Sequence, residues 1–171
     1  MLSIIINHYR TPELLKLCIS SIKKNLEQLE YEIIVRDGEA LEDTADLMRE
    51  NFPDVTYLPE MENVGFANLV NAGIRRTRGD FLFIINADII IAKADAIKTL
   101  LSYLQENPKC GMVRPKLLNL NSSLQQSCFR FYKPLTLACR RTFLSRTPWC
   151  QLDITRFNYA DILNAKRYPL N

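Results

Sequence analysis

Short apolar runs alternate with longer amphipathic segments over the first 107 residues. The runs are rich in β-branched residues, and the longer segments repeat their apolar positions at helical spacing. We therefore predict strands for the runs and helices for the segments between them. The predicted strands cover residues 2–7, 31–37, 54–59 and 80–86, and the predicted helices cover 11–26, 41–51, 65–77 and 92–107. Strands this apolar, separated by helices, indicate an α/β fold with a mainly parallel central sheet and helices on both faces.

The alternation weakens after Pro108. Residues 110–119 predict a fifth strand, and residues 135–144 predict a short helix. The segment between them, residues 120–134, fits either a hairpin with a polar tip or a loop. Beyond Ser145 the pattern predicts no element.

Length and composition are those of an ordinary globular protein. The chain has 171 residues, of which 47% are hydrophobic, which is enough for one domain with a buried core. No apolar stretch approaches the roughly 20 residues of a membrane span, and the first residues lack the pattern of an export signal. We therefore expect a cytoplasmic protein. Its five cysteines fall in no CxxC or zinc-ligand spacing, which predicts reduced thiols with a structural role.

Charge is distributed unevenly along the chain. Residues 1–105 carry 11 basic and 16 acidic side chains, a net charge of −5, whereas residues 106–171 carry 11 and 3, a net charge of +8. The basic part is either a solvated surface or a contact surface for a missing part of the chain, or it is a surface attracted to phosphate or to the anionic inner face of a membrane. No nucleic-acid partner is expected. The oligomeric state is left open, because apolar surface at an edge of the sheet could pair with another copy of the chain.

Polar residues stand where the predicted strands end. They are Asn7, His8 and Tyr9, then Asp37, then Glu60 to Asn63, and finally Asn86 and Asp88. In parallel sheets, ligands bind outside the carboxyl ends of the strands. Asp88 interrupts the apolar run FLFIINADIIIA, so this carboxylate either faces solvent at a strand end or pairs with a ligand such as a divalent cation. The phosphate-binding patterns GxGxxG and GxxxxGK[ST] are absent, which counts against dinucleotide oxidoreductases and P-loop NTPases.

Four segments resemble the N-terminal part of family 2 glycosyltransferases of the GT-A fold, and the rhamnosyltransferase-like branch is the most similar. They read IINHYRTPELLKLCISSI, YEIIVRDGEALEDT, ENVGFANLVNAGIRRTRGDFLFIINAD and GMVRPKLLN. The resemblance covers residues 2–130 and implies a nucleotide-sugar-binding GT-A domain over 1–130. Residues 131–171 would then be a basic C-terminal extension that forms part of the acceptor side.

The resemblance implies a role for each polar residue at the strand ends. Tyr9 would stack on the base, and Asp37 would accept a hydrogen bond from it. Asn63 and Gly65 would lie near the nucleotide. Asn86 would reach the ribose or a metal-bound water, and Asp88 would bind Mn²⁺ or Mg²⁺. The partners implied are a nucleotide-diphosphate sugar and a saccharide or lipid-linked acceptor. The resemblance implies that the sugar is transferred to the acceptor, with inversion of its anomeric configuration, during surface polysaccharide synthesis.

Four of these residues also have a plainer interpretation. Asp37 is suited to capping the helix that follows it, Tyr9 to being an exposed aromatic residue, Asn63 to a turn, and Gly65 to starting a helix. His8 is interpreted as a polar loop residue rather than a ligand.

Two departures from the family pattern limit the functional prediction. Arg36 and Glu39 flank Asp37 where the family has small polar residues, which leaves the bound nucleotide open. The acidic motif that carries the family's general base has no match, because residues 131–171 contain only Asp153 and Asp161 as acids. The catalytic base is therefore unknown. The alternative is a truncated, catalytically incompetent module that binds nucleotide sugars or a partner.

Overall fold

Four parallel strands form the central sheet. The computed structural model describes residues 1–158 except 27, 94, 126 and 128. Within that part of the chain the strands are arranged in the order β3-β2-β1-β4, and every neighbouring pair is parallel. Their bounds are β1 Leu2–His8, β2 Tyr31–Asp37, β3 Thr56–Pro59 and β4 Phe81–Asn86. The predicted α/β fold and its parallel sheet are confirmed.

A helix follows each strand, as the hydrophobic pattern predicts. The helices are α1 Pro12–Asn25, α2 Glu42–Asn51, α3 Phe66–Ile74 and α4 Asp95–Glu106. α1 begins with a proline, which has no N–H to leave unpaired in the first turn. Its last turn contains two lysines, whose positive charges are favoured by the negative end of the helix dipole. In the part of the chain that is described, no helix is long and apolar enough to cross a membrane.

Side chains of successive strand residues enter opposite faces of the sheet. Leu2, Ile4 and Ile6 of β1 share one buried cluster with apolar residues of α1, α2 and α4. Ile5 points the other way and meets Gly73 of α3. Since a strand has a period of two, one face of the sheet is covered by α1, α2 and α4 and the other by α3. The α3 face is less covered at β4, where Leu82 and Ile84 are each 43% exposed.

The register of β2, β1 and β4 decides which polar residues share a face. Asn7 lies opposite Arg36 on one side and Asn86 on the other, and His8 lies opposite Asp37. Asn7, Arg36 and Asn86 therefore belong to the α3 face. His8 and Asp37 belong to the face that is covered by α1 and α2.

The chain divides into two compact units, Met1–Pro115 and Lys116–Asn171. The second unit contains α5 Pro134–Arg141, a 3-10 turn at Phe143–Arg146 and α6 Pro148–Phe157. The helix predicted at 135–144 is thus confirmed in α5, whereas α6 was not predicted. The functional boundary predicted at residue 130 stays a prediction.

The fifth strand predicted at residues 110–119 is wrong. Residues 110–117 have no regular structure, and Leu118 pairs only with Leu124 in an isolated antiparallel bridge. Pro115 has no N–H to give to a ladder, and Met112 is 85% exposed although a buried strand would enclose it. The bridge closes a tight turn at Asn119 to Ser123, which agrees with the hairpin alternative.

The prediction that all cysteines are reduced is wrong for two of them. Cys139 of α5 and Cys150 of α6 form a disulfide, with their Cα atoms 5.2 Å apart. Spacing rules could not find this pair, because packing of the two helices brings together cysteines that are 11 positions apart. Cys18 and Cys110 are free, and Cys128 lies outside the described residues.

Replacing Gly73 by alanine is expected to destabilise the sheet domain by about 1–3 kcal/mol. An added Cβ would lie 2.9 Å from Cγ2 of Ile5 and 3.2 Å from Cγ of Arg36, so α3 would have to move away from the sheet. This overpacking opposes the gain of about 1 kcal/mol that alanine gives over glycine inside a helix. Urea unfolding of Gly73→Ala measures the net effect. Gly111→Ala is the control, because open space surrounds that position, and a Gly73→Ala protein more stable than the unsubstituted chain would contradict the packing.

Removing the disulfide is expected to destabilise the second unit by about 3 kcal/mol, because the crosslink limits the freedom of the unfolded chain. Trp149 is the only tryptophan and neighbours Cys150, so its fluorescence follows this unit during urea unfolding. Cys139→Ser/Cys150→Ser should shift the transition to lower urea, as reduction of the unsubstituted protein should. Cys110→Ser, which removes a free thiol, serves as the control. Equal transitions for the double variant and the control would mean that the bond does not form.

Candidate functional site

A cavity of about 440 Å³ lies at the carboxyl ends of β1 and β4, beside the first turns of α3. Four residues predicted for the site line it, namely Tyr9, Asn63, Asn86 and Asp88. Asn7 and His8 at the end of β1 line it as well, together with the apolar side chains of Leu14, Phe66 and Leu69. The structure therefore brings together residues from three connections of the chain, at the edge of the sheet where the fold rule predicts a ligand.

Gly65 and Asp37 do not line this cavity. Gly65 is the N-cap of α3 and has a φ of 79°, which a residue with a side chain rarely adopts. Its N–H donates to Oδ1 of Asn63 at 3.0 Å, so Asn63 shapes the turn that leads into the helix. The plainer interpretations, a turn for Asn63 and a helix start for Gly65, thus describe the local structure of these two residues. Their predicted contacts with a nucleotide stay predictions.

Asp37 is fully buried and its two carboxylate oxygens accept three hydrogen bonds. Oδ1 accepts from Nδ1–H of His8 at 2.9 Å and from the backbone N–H of Glu39 at 3.2 Å. Oδ2 accepts from the hydroxyl of Tyr57 at 2.7 Å. These bonds compensate for burial of the carboxylate. They also join the carboxyl ends of β1, β2 and β3, whereas the predicted contact of Asp37 with a base stays a prediction.

The geometry around His8 assigns its tautomer. Nε2 accepts a hydrogen bond from the backbone N–H of Thr11 at 3.0 Å, so this nitrogen carries no proton. The ring proton therefore sits on Nδ1, which donates to Asp37. A neutral imidazole with both nitrogens occupied inside the protein is a structural residue. His8 is the last residue of β1 and only 2% exposed, so its interpretation as a loop residue is wrong, whereas its not being a ligand stays a prediction.

Tyr9 and Arg10 form the exposed part of the loop between β1 and α1. Arg10 has a φ of 56°, a left-handed conformation that is costly for a residue with a side chain. Its guanidinium makes two hydrogen bonds with the Glu39 carboxylate and lies 5.1 Å from the centre of the Tyr9 ring. The Arg10 guanidinium holds the pKa of Glu39 below its usual range. This clamp holds the loop in place, and the Tyr9 ring remains 45% exposed.

Asp88 follows β4 in a turn and is exposed, and Asn86 at the end of the strand is exposed as well. No group of three His, Cys, Asp or Glu side chains suited to a metal ion occurs among the described residues. A magnesium or manganese ion nevertheless needs only one or two carboxylates when phosphates and water complete its ligands. The carboxylate of Asp88 fits that requirement at an open cavity.

Cys18 lies on the buried side of this turn. Burial, together with the negative charge of Asp88, raises the pKa of the Cys18 thiol to about 12. The thiol is fully buried and stays protonated near neutral pH, so it is not a nucleophile.

Comparison with known proteins identifies the family. Residues 3–151 match glycosyl transferase family 2. The chain belongs to this family. It is 32% identical over 115 residues to poly-beta-1,6-N-acetyl-D-glucosamine synthase from Staphylococcus aureus strain COL, and the same match occurs in strain MRSA252. The alignment covers 62% of this chain and 27% of the synthase, so the chain spans about a quarter of this family 2 relative.

Solved glycosyltransferase structures share the fold of this family 2 chain. The mannosyltransferase PcManGT from Pyrobaculum calidifontis, in complex with GDP-Man and Mn²⁺, superimposes with a TM-score of 0.55 at 23% identity. The match covers 60% of this chain and 32% of the mannosyltransferase. S. aureus TarS 1–349 in complex with UDP gives a TM-score of 0.54 at 16% identity, over 71% of this chain and 43% of TarS. These similarities confirm the GT-A fold.

Sequence reasoning missed the apolar part of the cavity wall. Phe66 and Leu69 belong to the first turn of α3, and Leu14 belongs to the first turn of α1. The sequence carried a signal for them, because Phe66 directly follows Gly65 at a predicted helix start. Asn7 was named only as a polar strand end, without a role.

Replacing Tyr57 by phenylalanine is expected to destabilise the protein by about 1–3 kcal/mol. The change removes the hydroxyl that donates to Oδ2 of Asp37 and leaves a buried carboxylate oxygen without that donor. Burial and the same carboxylate raise the pKa of Tyr57, so the hydroxyl is protonated at neutral pH in the native protein. Urea unfolding at neutral pH measures the loss. Tyr103→Phe, at an exposed tyrosine of α4, is the matched control, and equal stabilities of the two variants would contradict the importance of this bond.

Proposed function

We propose that this chain binds a nucleotide-diphosphate sugar and transfers the sugar, with inversion, to a saccharide or lipid-linked acceptor in surface polysaccharide synthesis. The observation that supports this most is the cavity in which Tyr9, Asn63, Asn86 and Asp88 meet at the carboxyl ends of the strands of a family 2 chain. The similarity to a polysaccharide synthase supports the biological setting.

Different residues of the cavity would bind different parts of the donor. Tyr9 presents an exposed ring for stacking on the base, and Asn63 and Gly65 form the turn beside the nucleotide. Asn86 would reach the ribose, and Asp88 would hold Mn²⁺ or Mg²⁺. When bound, such a cation supplies Lewis-acid stabilisation of the charge that develops on the departing diphosphate. The protein's own part is to hold the donor in one orientation with a loop that is already fixed.

Asp37 acts on the base in this proposal, either directly or by fixing the loop that carries Tyr9. The indirect role has support in three hydrogen bonds that occupy its carboxylate. The direct role would require the base to reach a fully buried side chain.

The acceptor hydroxyl needs a general base, and among the residues that the structure describes Asp88 is the only carboxylate that lines the cavity. Since Asp88 is assigned to the cation, the base is left unassigned. This observation favours a second candidate function, a module that binds nucleotide sugars without transferring them. Membership of the rhamnosyltransferase-like branch, a cytoplasmic location and contact of the basic C-terminal part with the inner face of a membrane belong to the first proposal and rest on sequence resemblance and charge. The donor sugar is left open.

Nucleotide binding is expected to depend on a divalent cation and on Asp88. Isothermal titration with UDP, dTDP and GDP, with and without Mn²⁺, should show binding that the cation strengthens. Asp88→Ala should weaken the cation-dependent binding at least about tenfold, because the phosphates lose the charge that bridges them to the protein. Asp95→Ala removes an exposed carboxylate of α4 that does not line the cavity and serves as the control.

Failure of all three nucleotides to bind would refute both candidate functions, and equal binding by Asp88→Ala would refute the metal role of that residue. Release of free nucleotide from a bound donor, with or without an acceptor, then separates the transferase from the binding module. A protein that binds but never turns over its donor is the module.

A further inference from the structure

Asn7 is a buried polar residue without a hydrogen-bond partner for its side chain. It is only 8% exposed, and neither its carboxamide oxygen nor its nitrogen has a partner in the described structure. A buried amide in this state destabilises the free protein, so such groups are rare and require an explanation. Asn25 shows the usual arrangement, because its nitrogen donates to the carbonyls of Ser21 at 2.8 Å and Ile91 at 2.9 Å.

The position of Asn7 suggests what its amide is for. It lines the candidate cavity, and its register partner on β4 is Asn86, which lines the same cavity. Neighbouring strands are about 4.8 Å apart, and register partners point to the same face. The two carboxamides therefore stand side by side on the α3 face, one nearly buried and one exposed. On the other side of Asn7, Arg36 directs its guanidinium to Glu60 rather than to Asn7.

A pair of neighbouring carboxamides is complementary to a pair of neighbouring hydroxyls. Each carboxamide offers one acceptor oxygen and two N–H donors, and each hydroxyl donates one hydrogen bond and accepts others. The carboxamides carry no charge, so they do not suit the diphosphate, which the proposed cation at Asp88 would bind. The Tyr9 ring at the loop suits the flat face of the base. The part of a nucleotide that matches Asn7 and Asn86 is the ribose, with its adjacent 2′ and 3′ hydroxyls.

We propose that Asn7 is a specificity-determining residue that binds the ribose diol together with Asn86, so that the site prefers ribonucleotides to 2′-deoxyribonucleotides. The inference rests on the proposed nucleotide binding and deepens it, because it selects UDP- or GDP-linked donors over dTDP-linked ones. Loss of the 2′ hydroxyl leaves one buried amide unpaired again, and a hydroxyl that both donates and accepts is what separates the two kinds of nucleotide.

The test compares matched pairs of nucleotides by isothermal titration in the presence of Mn²⁺. UDP is compared with dUDP, and GDP with dGDP, so that only the 2′ hydroxyl differs within a pair. The full chain should bind the ribonucleotide of the preferred base about tenfold more tightly than its deoxy form. Asn7→Leu keeps the approximate size of the side chain and should reduce that ratio to about one, and Asn7→Ser gives a second, smaller replacement with the same expected ratio.

Thermal unfolding of the free protein provides a readout that does not involve nucleotide. Asn7→Leu should raise the unfolding midpoint by about 2–4 °C, because it replaces an unpaired buried amide by an apolar group. Asn25→Leu is the matched control with the opposite sign, since it removes two hydrogen bonds and should lower the midpoint. If Asn7 had only a structural role, Asn7→Leu would lower the unfolding midpoint, as Asn25→Leu does.

Equal affinity of the unsubstituted protein for the two members of each pair overturns the inference and leaves the proposed function standing. A lower unfolding midpoint for Asn7→Leu, or an unchanged ribose preference in both Asn7 variants, also overturns it. Absence of binding by any nucleotide removes the proposed function and the inference together.

Discussion

Burial of the Asp37 carboxylate is the constraint on which the site depends. A charged group without contact to water is tolerated only when hydrogen bonds replace its hydration. His8, Glu39 and Tyr57 supply those bonds, and they come from the ends of three different segments of the chain. Loss of any one of these donors would leave part of the buried carboxylate charge without a hydrogen bond to replace its hydration. The carboxylate thereby fixes the loop between β1 and α1, on which Tyr9 stands, before any ligand arrives.

The element order was predictable from the hydrophobic pattern. Strands that are buried on both faces of the sheet consist of short runs of β-branched residues, and helices on the sheet surface are amphipathic. Once the strands were placed, the polar residues at their carboxyl ends were predictable as site residues, because ligands bind there in parallel sheets. Tyr9, Asn63, Asn86 and Asp88 do line one cavity. The direction of a side chain at a strand end was harder. A shift of one position moves a residue to the other face of the sheet. This difference places Arg36 on the α3 face and Asp37 beneath α1 and α2.

Contacts between distant positions explain the remaining differences. The disulfide of Cys139 and Cys150 depends on how two helices pack, which spacing along the chain does not record. The predicted fifth strand had apolar residues but also Pro115, and the missing donor outweighed the hydrophobic pattern. Arg36 and Glu39, which break the family's pattern, each have a partner of opposite charge, Glu60 and Arg10. Ion pairs thus accommodate both charged side chains in the segment around Asp37.

β4 has a consequence for the behaviour of the protein in solution. It is the last strand of the described sheet, so one side of its backbone has no strand partner, and Leu82 and Ile84 leave an apolar surface beside that edge. An open edge with apolar neighbours can act as a template for the same strand of another molecule. Pairing of β4 with β4 of a second copy would use the open β4 edges of both molecules, so it would join two copies and leave no β4 edge for a third.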